Sequence, residues 1–222
     1  MPLLFHGPRD KPRVALTFDA DLTAAMRRRL DDGRVKSYYN AKLIAELREL
    51  RVPATLFLTG MWMERYPAQT KALAADPLFE LGTHTYSHRA FTRKCYTLAT
   101  VPRAGMLADA RRAVRILDRL DPGATRWFRF PGGCYDGTAL HELAPLGLTA
   151  VQLDVPGADG FAKSAGNIVG QVLKNARNGS IVVLHLHGGD NAPLTDEALP
   201  AIVRGLRAEG FELVTVSRLT GS

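Results

Sequence analysis

The residues best suited to chemistry in this chain are His84 and His88, with three residues between them in Gly82-Thr-His-Thr-Tyr-Ser-His88. That spacing lets two imidazoles converge on one metal ion, and such a site needs a third ligand. Upstream, the apolar run Val14-Ala-Leu-Thr-Phe18 ends on Asp19-Ala20-Asp21, carboxylates in place of ordinary surface polar residues. Two apolar runs that each end on ligand-type side chains point to one shared site. Two histidines and one carboxylate leave a coordination position open for water, as catalytic zinc sites require.

Positioning such groups calls for strands whose ends meet. Short β-rich runs occur near Val14–Phe18, Ala54–Leu58, Glu80–His84, Trp127–Phe130, Thr149–Leu153, Ile181–His185 and Glu212–Val216. Amphipathic segments lie between them. Leu43, Ile44, Leu47 and Leu50 share a face after Asn40, a residue suited to cap that helix. Met106, Ala110, Ala113, Leu117 and Leu120 form a second stripe, and Ile168, Val169, Val172, Leu173 and Ala176 a third, following Asn167. A late helix is expected from Thr195, with Asp196 and Glu197 in its first turn, to Gly210. This alternation predicts parallel strands wrapped by helices, as an α/β barrel or an open doubly wound sheet. In barrels of this type functional residues gather at the C-terminal ends of strands. Asp19 and Asp21, His84 and His88, Arg129, Asp154 and Asp159, and His185 all fall at or just beyond such ends.

The 222 residues suffice for one domain with its own core, and no apolar run reaches the ~18 residues of a membrane span. The 29 Lys and Arg against 22 Asp and Glu leave a formal charge of +7, which draws the chain toward polyanions such as cell-wall polymers. The basic residues sit on helical patterns, as in Arg27-Arg28-Arg29, without interleaved aromatics, which argues for solvated helix faces over a nucleic-acid site. Two cysteines, Cys95 and Cys134, leave one disulfide or two free thiols open. The start, Met1-Pro-Leu-Leu-Phe-His-Gly-Pro, lacks the charged leader and long apolar core of a secretory signal, so the chain is either cytoplasmic or trimmed of a leader.

Together these stretches resemble the NodB-homology polysaccharide deacetylases, the fourth family of carbohydrate esterases. Five motifs occur in order: Leu16-Thr-Phe-Asp-Ala-Asp21; His84-Thr-Tyr-Ser-His88; Arg129-Phe-Pro-Gly-Gly133; Asp154-Val-Pro-Gly-Ala-Asp159; and Gly179-Ser-Ile-Val-Val-Leu-His185. Val52-Pro-Ala-Thr-Leu-Phe-Leu-Thr-Gly60 is similar to the family's second-strand signature. The resemblance implies a single domain over residues 1–222, folded as a distorted (β/α) barrel of about seven parallel strands. It also implies metal-dependent removal of acetyl groups from N-acetylated sugars, by Zn2+ or by another divalent cation such as Co2+ or Ni2+.

By the same resemblance Asp19 is the general base, Asp21, His84 and His88 are the metal ligands, Arg129 pairs with the base, and His185 protonates the leaving amine. The family's first motif has two adjacent carboxylates, whereas Ala20 separates them here, so the roles of Asp19 and Asp21 are open to exchange, and Asp21 has the further option of merely capping its loop. His187 competes with His185 for the acid role. Asp159, with Asp154 as runner-up, orients the acid; Gly160 stands where the family carries Trp. Gly-Gly-Cys replaces the usual Pro-Tyr-Gly of the third motif, leaving the oxyanion donor as an N–H between Gly133 and Tyr135. Trp62 and Tyr135 are candidates for stacking on sugar rings, while Tyr66 and Trp127 read as structural.

The expected partner is a polysaccharide or oligosaccharide, peptidoglycan ahead of chitin, met outside the cell or in its envelope by a monomeric chain with no nucleic acid and no membrane span. Acetylxylan ester hydrolysis, small-molecule carbon–nitrogen hydrolysis and a catalytically silent carbohydrate-binding barrel are the alternatives.

Overall fold

The computed structural model describes residues 1–221. Nine strands, all paired in parallel, form one sheet: β1 (Leu3–Leu4), β2 (Arg13–Ala20), β3 (Ala54–Leu58), β4 (Phe79–Thr83), β5 (Trp127–Phe128), β6 (Thr149–Val151), β7 (Val155–Pro156), β8 (Ser180–His185) and β9 (Glu212–Val214). The order is β1-β6-β5-β4-β3-β2-β8-β7, with β9 also on β2. β2 pairs with β8 along one edge; its other edge is shared by β9 at Arg13–Ala15 and β3 at Thr17–Ala20. The path ends at β1 and β7, so the barrel is distorted and open. All seven expected strands are present, and the two additional ones, β1 and β7, are two-residue pairings too short to leave a periodic signal.

Alternation along the strands sorts side chains between two cores. Ala15, Phe57, Val151, Ile181 and Val214 fill the barrel interior. Leu16, Phe18, Leu56, Leu58, Leu81, Val182 and Leu184 face outward to a layer that includes Leu43, Ile44, Leu47, Leu199 and Ile202 from the helices. Phe128, Phe130 and Ala150 meet Met106, Ala110, Ala139 and Leu143. Gly82 holds an interior position without a side chain because a Cβ there would lie 2.7 Å from the Trp127 carbonyl and 3.1 Å from the Phe57 ring.

Among the described residues nine α-helices surround the strands: α1 (Ala24–Asp31), α2 (Ala41–Glu49), α3 (Gly60–Arg65), α4 (Pro67–Ala74), α5 (Arg103–Leu120), α6 (Gly137–Leu143), α7 (Ala165–Asn175), α8 (Thr195–Ala208) and α9 (Val216–Thr220). Asn40 caps α2 as expected, its side chain accepting from the Leu43 N–H at 3.0 Å. α7 begins three residues before Ile168, capped by Ser164, whose Oγ accepts from the Asn167 N–H at 3.2 Å. α9 plugs the N-terminal mouth of the barrel, where the Val216 N–H donates to Thr55 Oγ1 and the Ser217 N–H to Glu80 Oε1. Among the described residues no helix is long and apolar enough to cross a membrane. Cys95 and Cys134 form a disulfide, which resolves the choice left by their spacing.

Candidate active site

With the N-terminal mouth plugged, the C-terminal ends of the strands carry the polar groups. The inward positions that bear Ala15 and Ile181 lower down bear Asp19 and His185 at the top, and these two are register partners across β2 and β8. One inward step further lie Asp21 and His187. The residue separating the two carboxylates is therefore an outward one: Ala20 is fully buried among the helix-facing side chains. An Asp-x-Asp spacing at the end of a strand sends both acids to one face.

The two buried acids have different company. Asp19 accepts a 2.7 Å hydrogen bond from Arg129 Nη1, and Arg129 also donates through Nε to the Val151 carbonyl at 3.2 Å, with its guanidinium 4.0 Å from the Phe57 ring centroid. Asp21 has no such cation. Its Oδ1 is buried with no hydrogen-bond partner, while His84 Nε2 lies 3.5 Å from Oδ1 and His88 Nε2 lies 3.3 Å from Oδ2. One ligand atom from each of Asp21, His84 and His88 falls within 4.8 Å of the others. Burial would raise the Asp21 carboxyl, but the imidazoles of His88, His187, His84 and His185 hold it well below the usual carboxylate range. Burial pushes His88 down to about 4, so it is neutral and free to donate a lone pair at neutral pH. A buried, ionised, unpaired carboxylate oxygen facing two imidazole nitrogens is a donor set that a divalent cation completes.

The supports behind these groups come from distant segments. His84 Nδ1 hydrogen-bonds the Arg129 carbonyl at 2.8 Å, which fixes the proton on Nδ1 and leaves Nε2 bare toward Asp21. His88 sits in a loop with left-handed backbone at Thr85 (φ 64°) and at His88 itself (φ 55°). Asp109 of α5 holds that loop, accepting from the Tyr86 N–H at 2.8 Å and from Ser87 Oγ at 3.0 Å. Sequence reasoning missed Asp109, since a lone acid on the polar side of an amphipathic helix has no distinguishing pattern.

His185 and Asp159 form a second pair. His185 Nδ1 is 2.7 Å from Asp159 Oδ1, and the same carboxylate accepts from the His185 N–H at 2.8 Å, from Thr195 Oγ1 at 2.7 Å and from the Gly160 N–H at 3.1 Å. Burial lowers the His185 pKa, but the Asp159 charge and hydrogen bond outweigh it and push the imidazole up to about 10. Thr195 was legible only as a helix start. His187, only 2% exposed, sits with its ring edge-on to His185 at 5.0 Å, and burial lowers its pKa. It has no carboxylate partner, so the choice between the two histidines as the protonated group falls on His185.

The structure does not bring every candidate to this site. Asp154 is held by Arg9 through hydrogen bonds of 2.7 and 3.2 Å, with Arg177 at 3.8 Å, and the same Arg9 bonds Ser180 at the start of β8. Ser180 lies five residues, about 16 Å, below His185 along that strand. Trp62 is fully buried, with Nε1 donating to the Tyr38 carbonyl at 2.7 Å, so it belongs to the core and offers no sugar-stacking surface. Tyr135 is half-buried and stacked on Phe130. In the glycine turn, the Gly133 and Cys134 N–H groups are engaged by the Phe130 and Pro131 carbonyls, which leaves the Tyr135 N–H as the unengaged donor of the three.

Comparison with known proteins places this geometry in context. The polysaccharide deacetylase family model matches residues 6–151. The chain is 30% identical over 212 residues to a peptidoglycan-N-acetylglucosamine deacetylase of Bacillus cereus, covering 96% of this chain and 70% of that protein. It is 31% identical over 166 residues to a chitooligosaccharide deacetylase of Azorhizobium caulinodans, covering 73% and 72%. Among solved structures, a peptidoglycan N-acetylglucosamine deacetylase in complex with 4-naphthalen-1-yl-N-oxidanyl-benzamide superposes with a TM-score of 0.82 at 27% identity, covering all of this chain and 94% of that one.

Proposed function

The chain belongs to the polysaccharide deacetylase family, a family of carbohydrate-acting hydrolases, and from that premise we propose that it is a metal-dependent N-deacetylase of amino-sugar polymers. Peptidoglycan is the favoured substrate and chitin-type oligomers the second, which sets the place of action outside the cell or in its envelope. The observation that carries the reading is the contrast between the two acids: Asp19 is neutralised by Arg129, whereas Asp21 turns an unpaired oxygen toward His84 and His88.

Asp21, His84 and His88 would hold the cation, zinc or alternatively cobalt or nickel. Once bound, it would supply Lewis acidity toward the acetamide carbonyl and acidify water toward neutral pH. Asp19, oriented by its 2.7 Å hydrogen bond from Arg129, is the base that takes the proton from the attacking water. The Tyr135 N–H is the donor available to the developing oxyanion. His185, kept protonated by Asp159, delivers its proton to the departing nitrogen, which an amide needs because a free amide anion is a poor leaving group. His187 lies beside the acid without a carboxylate partner, and burial lowers its pKa, which disfavours it as the proton donor.

Acetate release from N-acetylglucosamine oligomers, compared with release from acetylated xylan, tests this assignment. Chelator-sensitive release from the oligomers supports it. Release from xylan alone makes the protein an esterase, and binding of oligomer without any acetate release makes it a silent carbohydrate-binding barrel.

A further inference from the structure

Four large hydrophobic side chains stand exposed among the described residues, and three lie on segments that adjoin site residues: Phe161 (87% exposed), Tyr96 (72%) and Leu153 (37%). Phe161 follows Asp159 and Gly160, at the residues that hold His185. Tyr96 and Leu153 flank the glycine turn after Arg129. A Cβ at Gly132 would lie 3.1 Å from Tyr96 Cδ2, and one at Gly133 would lie 2.9 Å from Leu153 Cδ1. Both glycines have left-handed backbone (φ 62° and 69°), so the turn presents bare backbone between two apolar walls, next to the free Tyr135 N–H.

Tyr96 is held in this place at a cost. Its own backbone is left-handed (φ 49°), a conformation that a bulky residue adopts only under constraint. The constraint is adjacent: the Cys95–Cys134 disulfide ties its loop to the turn that carries the oxyanion donor. One edge of the ring packs on Gly132 while most of the side chain faces solvent, and its hydroxyl has no hydrogen-bond partner among the described residues. An aromatic face with a free polar tip, fixed beside a carbohydrate-processing centre, suits the C–H face and hydroxyl rim of a pyranose ring.

We propose that Tyr96 is a stacking platform for a sugar ring adjacent in the chain to the one being deacetylated, so that the protein recognises linked amino sugars rather than a single one. Leu153 and the glycine turn form the floor that leads from this platform to the reacting ring. The inference rests on the deacetylase reading of the site and names the residue through which the neighbouring sugar of the chain is held. It also gives the disulfide a role in recognition, as the tether that keeps the platform in register with the turn.

Calorimetric titration with an N-acetylglucosamine pentamer and with the monomer tests this independently of turnover. The wild type is expected to bind the pentamer more tightly than the monomer. Tyr96→Ala is expected to weaken pentamer binding about tenfold, and Tyr96→Phe to keep it within about twofold, the difference one ring face makes. Tyr96→Gly removes the ring while accepting the left-handed backbone, so a loss in this variant is not a folding effect. In turnover assays the loss should fall on KM. Pentamer binding that is undetectable in the wild type, unchanged in both Ala and Gly variants, or no tighter than monomer binding would overturn the proposal. Tyr96-dependent binding without acetate release would sink the deacetylase reading and leave Tyr96 a sugar platform on a silent barrel, while acetate release with a KM indifferent to Tyr96 would overturn the platform and leave the deacetylase reading standing.

Discussion

Replacing Asp159 by Asn tests the proton donor most directly. In the metal-free protein His185 is held protonated up to about 10 by a carboxylate at 2.7 Å. The Asp159→Asn amide would retain an oxygen acceptor and lose the charge, returning the imidazole to its ordinary 6.5 or below, since burial alone lowers it. For an acid with these pKa values, the protonated fraction at pH 8 falls from ~0.99 to ~0.03, about a 30-fold loss of the competent form. At pH 5.5 the variant recovers ~0.9 of the protonated form, so its defect should shrink as pH falls.

The same substitution has a stability arm. The gap from 6.5 to about 10 sets a ceiling of about 5 kcal/mol for the pair, at 1.36 kcal/mol per unit, and breaking a buried pair on one side costs about 3–5 kcal/mol. Because the folded-state pKa is raised, this stabilisation is complete below the unfolded value of about 6.5 and fades as pH rises through about 10. Denaturant midpoints should therefore separate wild type and variant most at low pH and converge at high pH. The direct assay is an NMR titration of the His185 ring in metal-free protein. A wild-type midpoint near 6.5, or a shift under one unit in Asp159→Asn, would refute the account.

Asp21→Ala should abolish stoichiometric zinc binding, while Asp19→Asn should keep the metal and lose about 10²–10⁴-fold in kcat; metal analysis with the opposite pattern would exchange the two roles. Asp154→Asn should cost about 1–2 kcal/mol through its lost bonds to Arg9, with far less effect on acetate release than Asp159→Asn; equal losses would return Asp154 to the site. Removing both cysteines opens a loop of 39 residues' separation and should lower stability by up to about 4 kcal/mol in denaturant melts; a difference under 1 kcal/mol would show that the reduced chain is already restrained. Asp109→Ala should weaken metal affinity about 10- to 100-fold through the loosened His88 loop, read by competition with a chelating dye; unchanged affinity would show that the loop holds itself.

Much of this architecture was legible because strand alternation writes the same information into sequence and space. His84, Arg129 and His185 continue inward positions of β4, β5 and β8, so apolar runs ending on polar residues marked the barrel mouth. Legibility ended where the chain leaves regular geometry. Asp154 and Asp159 are equivalent acids in one irregular stretch, and left-handed Ala158 (φ 56°) immediately precedes the one that reaches His185. The buried Trp62 and the exposed Tyr96 were likewise indistinguishable by residue type, because burial depends on what packs from elsewhere: Tyr38 covers one, and a disulfide holds the other out.

The Asp19-Ala20-Asp21 spacing departs from an adjacent pair of carboxylates, and by sequence alone that departure weakens the metal site. In a strand it has the opposite effect. Two adjacent carboxylates would face opposite sides of β2 unless the chain turned between them, whereas a spacer that is small, apolar and outward sends both acids inward at successive depths. Depth then separates their environments. The deeper acid reaches Arg129, fixed between Val151 and Phe57; the shallower one lies beyond that cation's hydrogen bonds and meets only imidazoles. A carboxylate satisfied by a guanidinium is a poor ligand, because binding a cation there would bring two positive charges together. A carboxylate with an unpaired buried oxygen is a poor candidate for a stable apo state, because ionised oxygen without a partner is costly. The partners available at each depth therefore favour Asp19 as base and Asp21 as ligand, whatever their order along the chain.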